Sequence, residues 1–311
     1  MADGNRRRRL VIPARRFIES PHPIDLTASL RILAVGGRDP ALRLGTSEAL
    51  LTTLTPEGPA TLRLTGTGHR LEAEAWGAGA AWALEHSPGL AGAGDDPAGF
   101  EPGRHPAVAR LHRSLPGLRI IRSGRVFEAL LRAVVGQRVT GPQAARSWAG
   151  LLQAYGEPAP GPGELLLPPH PSALAGLAYH RLHPLGIERR RAEAILGLAR
   201  HAARLEECAR LPLADAYARL GALPGVGPWS LGRVGLTAMG DPDAVPLGDF
   251  HLPNTIAWAL AGEERADDAR MLTLLEPFAG HRGRVVRLIQ ASGIQAPRFG
   301  PRAPARRSLD G

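Results

Sequence analysis

Leu223-Pro224-Gly225-Val226-Gly227-Pro228-Trp229 is the most informative stretch of the chain. Its two glycines permit positive φ and the close approach of a second backbone, and Pro228 stands where the first residue of a helix needs no N–H. The helix predicted after it places Leu231, Val234 and Ala238 on an inner face and stops at Gly240. At its start several N–H groups without partners point outward at a positive helix end, an arrangement suited to a phosphate. A bare G-x-G fits a tight helical connection equally well, so the weight rests on the whole heptapeptide and on the residues C-terminal to it. Asp249 lies 22 residues beyond Gly227, room for one helix and a return through Asp241-Pro242-Asp243. In the run Leu247-Gly248-Asp249-Phe250-His251-Leu252-Pro253-Asn254 a carboxylate can cap the next helix, act beside the hairpin, or do both. Pro253 is awkward in a helix beginning at Asp249, which places the expected helix start near Asn254.

Outward from this hairpin the chain reads as helical. Apolar spacing predicts helices over 126–135, 142–155, 188–202, 213–220, 228–239, 254–261, 266–278 and 284–291, with the proline- and glycine-rich residues 156–171 as a loop. No strand pattern is found beyond residue 104. The part before it is mixed. Asp25 caps a helix that runs to the Gly36-Gly37 stop; β-type segments follow at 50–55 and 61–65, the latter paired with 70–76 across Gly66-Thr67-Gly68; a helix over 78–85 comes next. The expected fold is therefore α+β, a small N-terminal α+β domain with antiparallel strands over 13–98 and a larger all-helical domain over 99–296, divided within the Gly/Asp/Pro-rich stretch 89–103.

Composition narrows the chemistry. The 311 residues are 44% hydrophobic and 22% charged, as expected of a globular chain that buries a core. All 38 basic residues are arginines. Without lysine there is no Walker-type phosphate loop, no Schiff base with pyridoxal, and no side-chain imine with which to open a sugar. One cysteine, Cys208, excludes an internal disulfide, a four-thiolate zinc site and a four-cysteine iron–sulfur cluster held by this chain alone. The net charge of +9 suggests a polyanionic partner, yet residues 1–16 contribute +5 and residues 298–311 contribute +3. The charge thus belongs to basic tails at 1–12 and 297–311, which either wrap a nucleic acid or are simply solvated. With no targeting segment and no apolar run of membrane-spanning length, the expected place is the cytoplasm, at the nucleoid, with no membrane partner. The His180/His183 pair lacks further metal ligands, and Gly77-Ala78-Gly79 lacks the rest of a dinucleotide fingerprint.

The segment from Leu223 to Ser230, followed at this spacing by Gly248-Asp249, resembles the helix-hairpin-helix DNA glycosylases. Phe127-Glu128-Ala129-Leu130-Leu131-Arg132-Ala133-Val134-Val135-Gly136-Gln137 is similar to the helix that leads to their minor-groove plug, and Leu185-Gly186-Ile187 with Arg190-Arg191-Ala192 is similar to their next helix start. Within that superfamily the 3-methyladenine DNA glycosylase II branch is the better match. The resemblance covers residues 104–295 well and 13–90 loosely. It implies a monofunctional DNA glycosylase that flips a damaged, alkylated purine out of double-stranded DNA and hydrolyses its N-glycosidic bond. Asp249 carries over as the catalytic aspartate that stabilises the sugar cation. Trp229 stands where bifunctional relatives have a lysine, which implies no lyase activity. Gly225, Val226 and Gly227, with Gln137 and Arg138, carry over as DNA contacts, Arg138 filling the gap left by the flipped base. Trp229, Arg233 and Gln290 fall in the base pocket, Arg233 where a tyrosine is found and Gln290-Ala291 where aromatic residues are found, so the pocket is expected to read a base through hydrogen bonds. No cofactor is required. A monovalent cation is implied at the hairpin, on the carbonyls of Leu223 and Val226, and the protein is expected to be a monomer. The alternatives are a non-catalytic module that binds distorted or damaged DNA and a glycosylase for oxidised or deaminated bases.

Overall fold

A computed structural model describes residues 13–297. Both basic tails lie outside the described residues, save for residue 297. The fold is α+β, as expected. Four antiparallel strands, β1 (Ala14–Ile24), β2 (Leu42–Leu44), β3 (Glu48–Thr55) and β4 (Gly58–Trp76), form one sheet in the order β1-β4-β3-β2. Against it lie α1 (Leu26–Leu30) and α2 (Ala80–Ala91). Asp25 caps α1, its Oδ1 accepting the Ala28 N–H at 2.9 Å, and a 3-10 turn (Arg31–Leu33) extends it.

The hairpin expected at Gly66-Thr67-Gly68 does not form. β4 is one strand of 19 residues; its first half pairs with β3 (Glu48 opposite Thr65, Thr55 opposite Gly58) and its second with β1 (Ala14 opposite Ala75, Ile18 opposite Leu71). Leu62 and Leu64 face the core from even positions, Leu71, Ala73 and Ala75 from odd ones. Such a change of parity arises equally from a turn or from an irregularity within one strand, and Gly66 (φ +115°) and Gly68 (φ +76°) supply the latter. β1 escapes a pattern search because it is an edge strand with only Ile18, Ser20 and Ile24 buried, and an edge tolerates its two prolines.

After α2 the chain is helical: α3 (Pro106–Ser114), α4 (Val126–Gly136), α5 (Gly141–Tyr155), α6 (Pro171–Ala175), α7 (Arg189–Arg200), α8 (Ala202–Glu207), α9 (Leu213–Gly221), α10 (Pro228–Val234), α11 (Leu252–Ala261), α12 (Asp268–Leu275) and α13 (Arg282–Ala291). The short α6 and α8, and α3 just past the glycine-rich stretch, were not among the expected helices. The helix α2 continues past the expected 85 to Ala91, with Pro88 inside its last turn. α4 is apolar on nearly all sides, with Val126, Leu130, Leu131, Val134 and Val135 essentially inaccessible, and α5, α7, α8 and α10 pack around it. Each such leucine contributes about 1.5–3 kcal/mol over an exposed one. A second helical core joins α3, α11, α12 and α13 through Val108, Ile256, Met271, Val285 and Val286.

Two devices brace the helical core, the first of them tying it to the N-terminal region. Arg132 of α4, nearly buried, donates to Asp39 and the Leu33 carbonyl at 2.9 Å each and to Glu128 at 3.0 Å, and its guanidinium lies 4.4 Å from the centre of the Trp148 ring. Burial works against that charge, but Asp39 and Glu128 outweigh it and hold its pKa above the ordinary arginine value. Behind α10 the helix widens into a π turn (Gly235–Met239), and the Thr237 and Ala238 carbonyls accept the Ser123 and Gly124 N–H groups at 3.0 Å each.

Candidate active site

The loop from Leu223 to Gly227 joins α9 to α10. Its one left-handed residue is Gly225, at φ +85°, where an added Cβ would stand 2.5 Å from the Ala194 Cβ. Gly227 differs from expectation: its backbone is extended (φ −108°, ψ −178°), and an added Cβ would meet nothing within 4 Å. Glycine there answers to no contact inside the chain. The Val226 side chain is buried in the helical core, and its N–H is taken by the Leu223 carbonyl at 3.1 Å. Gln137 also turns inward, its Nε2 donating to the Gly225 carbonyl at 2.9 Å and to Ser230 Oγ at 2.8 Å. It braces the hairpin against the end of α4.

Asp249 lies beside this hairpin, partly buried. Its Oδ1 accepts the N–H groups of His251 and Leu252 at 2.8 and 2.9 Å, and its Oδ2 accepts the Trp229 indole N–H at 2.8 Å. The helix therefore begins at Leu252, not near Asn254. Pro253 fits as its second residue, where an N–H has no partner to lose, and Asp249 reaches into the helix start from outside it. Three N–H donors thus fix both carboxylate oxygens. The Trp229 ring packs over Gly136, where an added Cβ would lie 3.5 Å from its Cη2. Phe250, next to Asp249, is 85% exposed and packs edge-on against the His251 ring.

Arg233 and Gln290 line one cavity of about 460 Å³, a volume within the range that holds a small aromatic ligand. The other walls are Asp25, Thr27, Ala28, Arg31, Ile32 and Ala34 from α1 and its extension, and Arg287 and Ala291 from α13. Trp229 is not among the lining residues; its indole is committed to Asp249. The Arg233 Nη2 donates to the Ile32 carbonyl at 2.9 Å. Burial lowers its pKa, the charge of nearby Asp249 raises it, and repulsion from Arg132 lowers it; the balance falls below the ordinary value. Arg287 is 5% exposed and donates to the carbonyls of Ala28 and Ser29 at 3.0 and 3.4 Å. Burial first, then repulsion from Arg233, lower its pKa too. Arg31 and Arg287 were missed in the sequence. The available signal was Arg287 itself, a cation set in the apolar run Val285-Val286 and Leu288-Ile289.

Arg138 is exposed in the turn between α4 and α5 at φ +54°, a conformation costly for a side chain of its size. No cluster of three or more His, Cys, Asp or Glu side chains suited to a metal occurs among the described residues. None of their helices is long and apolar enough to cross a membrane.

The chain thus sets a hairpin between two helices, an aspartate fixed beside it, and a cavity between α1, α10 and α13. Comparison with known proteins finds sequence likeness to 3-methyladenine DNA glycosylases, and likeness of fold both to these and to 8-oxoguanine glycosylases. The chain is 34% identical over 126 residues to DNA-3-methyladenine glycosylase 2 of Escherichia coli, a match covering 40% of this chain and 45% of that protein. A putative DNA-3-methyladenine glycosylase of Bacillus subtilis is 26% identical over 144 residues, 45% of this chain and 49% of the relative. The chain thus matches under half the length of these curated relatives. No family model matches it. Among solved structures, a 3-methyladenine DNA glycosylase from Archaeoglobus fulgidus superposes with a TM-score of 0.75 at 16% identity, over 88% of this chain and 97% of that one. An 8-oxoguanine glycosylase/lyase from Clostridium acetobutylicum superposes with a TM-score of 0.68 at 14% identity, over 89% and 97%. These two show a shared fold.

Proposed function

We propose that this protein is a monofunctional DNA glycosylase acting as a monomer on double-stranded DNA, hydrolysing the N-glycosidic bond of a damaged purine, with alkylation products as the class to which its sequence relatives' names point. The observation that carries this reading is the Asp249 carboxylate, both oxygens fixed by N–H donors, set beside the hairpin and close enough to act electrostatically on Arg233 of the cavity. As the bond between C1′ and the purine breaks, its electron pair leaves with the base and the sugar becomes cationic. A carboxylate already oriented opposes that charge without reorganising. A water oxygen then bonds to C1′, and its proton goes to the departing base or to solvent.

The target nucleotide has to leave the stack to reach the cavity, and Arg138, exposed and held in a left-handed turn, takes the space it vacates. A planar guanidinium stacks between bases and donates to the edge of the orphaned partner. Gly227, where even an added Cβ would meet nothing within 4 Å, admits a phosphate to the start of α10. Leu223 and Val226 offer backbone oxygens only, a donor set suited to an alkali cation rather than to zinc, and such a cation would add positive charge facing the DNA backbone.

The test is mass spectrometry of bases released from duplexes carrying alkylated, deaminated or oxidised purines, followed by borohydride treatment. Release of a free base, an intact abasic strand and no covalent adduct are expected, since the chain has no lysine and only an N-terminal amine to offer. An adduct that survives blocking of that amine contradicts the monofunctional reading. No release from any duplex, with binding retained, leaves a DNA-binding module. For Arg138→Ala, the 2-aminopurine flipping signal and the single-turnover rate should fall more than affinity for undamaged duplex; an equal loss of affinity for both duplexes with flipping unchanged reduces Arg138 to a phosphate contact.

A further inference from the structure

The cavity is short of negative charge. Three guanidiniums, those of Arg31, Arg233 and Arg287, line it together with the Gln290 amide, and among the described residues none of the three forms an ion pair. Arg287 is buried against two neutral carbonyls, which satisfy its N–H groups without offsetting its charge. Two carboxylates offset part of this charge, Asp25 in the wall, whose Oδ1 caps α1, and Asp249, whose charge reaches Arg233, and the three guanidiniums outnumber them. No lining residue is aromatic, so the wall offers no π face to a cation. A positive base entering this space meets guanidiniums in excess of carboxylates, that of Arg287 buried in the wall.

We propose that the cavity selects neutral damaged purines presenting carbonyl or ring-nitrogen acceptors, ahead of N3- or N7-methylated purines, whose rings are cationic before the bond breaks. The proposal rests on the glycosylase reading and names the substrate class within it. The chemistry of departure points the same way. When the bond from a neutral purine to C1′ breaks, the pair of electrons makes the leaving base an anion, and fixed guanidiniums stabilise that charge most in the transition state. A cationic purine takes the same pair and leaves neutral, so the guanidiniums gain nothing from its departure and oppose its binding. Arg233 and Arg287 are therefore specificity-determining, and Gln290, exposed at the rim, presents either amide end to the base edge.

The experiment uses the full chain in single turnover on three duplexes bearing one hypoxanthine, one 1,N6-ethenoadenine or one N7-methylguanine, each rate divided by the spontaneous loss of that base. Hypoxanthine or ethenoadenine should show an enhancement at least about tenfold greater than N7-methylguanine, the scale of one like charge a few ångströms away in a partly buried site. Equal or greater enhancement for N7-methylguanine overturns the proposal. Release from none of the three overturns the glycosylase reading itself, and the proposal with it. Gln290→Glu, an isosteric change at an exposed position, should shift the ratio towards N7-methylguanine by about tenfold, as should Arg233→Gln. A ratio unmoved by Gln290→Glu, even if Arg233→Gln fails to fold, overturns the assignment of selectivity to the cavity's charge.

Discussion

Asp249 shows how one residue serves two purposes. Its Oδ1 accepts the N–H groups that open α11, as an ordinary helix-terminal aspartate does, while the Oδ2 bond to Trp229 aims the carboxylate across the hairpin. Trp229→Phe keeps an aromatic ring on α10 but removes that N–H and, being shorter, the Cη2 contact with Gly136. Its kcat should fall about tenfold or more with KM little changed, the cost of one hydrogen bond to a charged group; a loss confined to KM would mean that Trp229 touches the base after all. The two hairpin glycines separate in the same way. Gly225→Ala must place a side chain at φ +85° and 2.5 Å from Ala194, so thermal denaturation should show a loss of about 1–3 kcal/mol. Gly227→Ala should melt as wild type and bind DNA more weakly; unchanged binding would show that no backbone approaches there. Asp249 and the hairpin were legible in the sequence because their partners lie within one helix of each other. That Gly227 is extended, and that Val226 and Gln137 turn inward, were not, because each depends on packing against α4 and α7.

At the scale of elements the difficulty is topology. Leucine alternation on either side of Gly66-Thr67-Gly68 marked two β segments, but pairing belongs to the third dimension, and β1, which β4 needs as a partner, has no alternation to announce it. The start of α13 offers a test of element-scale energetics. Asp243 takes both the Arg282 side chain and its backbone N–H, the latter at 2.9 Å. Burial would raise its pKa, and the Arg282 bonds outweigh that, leaving the carboxyl below its ordinary value. The folded state therefore binds this proton less tightly than the unfolded chain does, so the stabilisation is complete above the ordinary value near 4 and is lost as pH falls through the lower folded one. Asp243→Asn should cost about 1–2 kcal/mol in urea denaturation at pH 7, a figure reduced for the pair's partial exposure. The difference from wild type should hold steady down to about pH 5 and shrink below pH 4; a gap constant to pH 2 would place the stabilisation elsewhere.

Across the whole molecule the cavity is made where α1 and its extension meet α10 and α13, elements joined by Arg233 to Ile32 and by Arg287 to Ala28. Arg233 and Gln290 could be placed near a base by register along their helices, whereas Arg31 and Arg287 come together from opposite ends of the chain and leave no local trace. The N-terminal helix α1 and its extension thus supply a wall that the later helices alone would lack. Whether the carboxylate beside this cavity serves catalysis is decided by base release from a damaged duplex, measured in single turnover for wild type and Asp249→Asn with DNA affinity followed in parallel. The substitution keeps the shape and removes the charge that opposes the sugar cation, so release should fall on the order of a hundredfold or more while binding persists. Release at near wild-type rate by Asp249→Asn would contradict the assignment of Asp249 as the catalytic carboxylate.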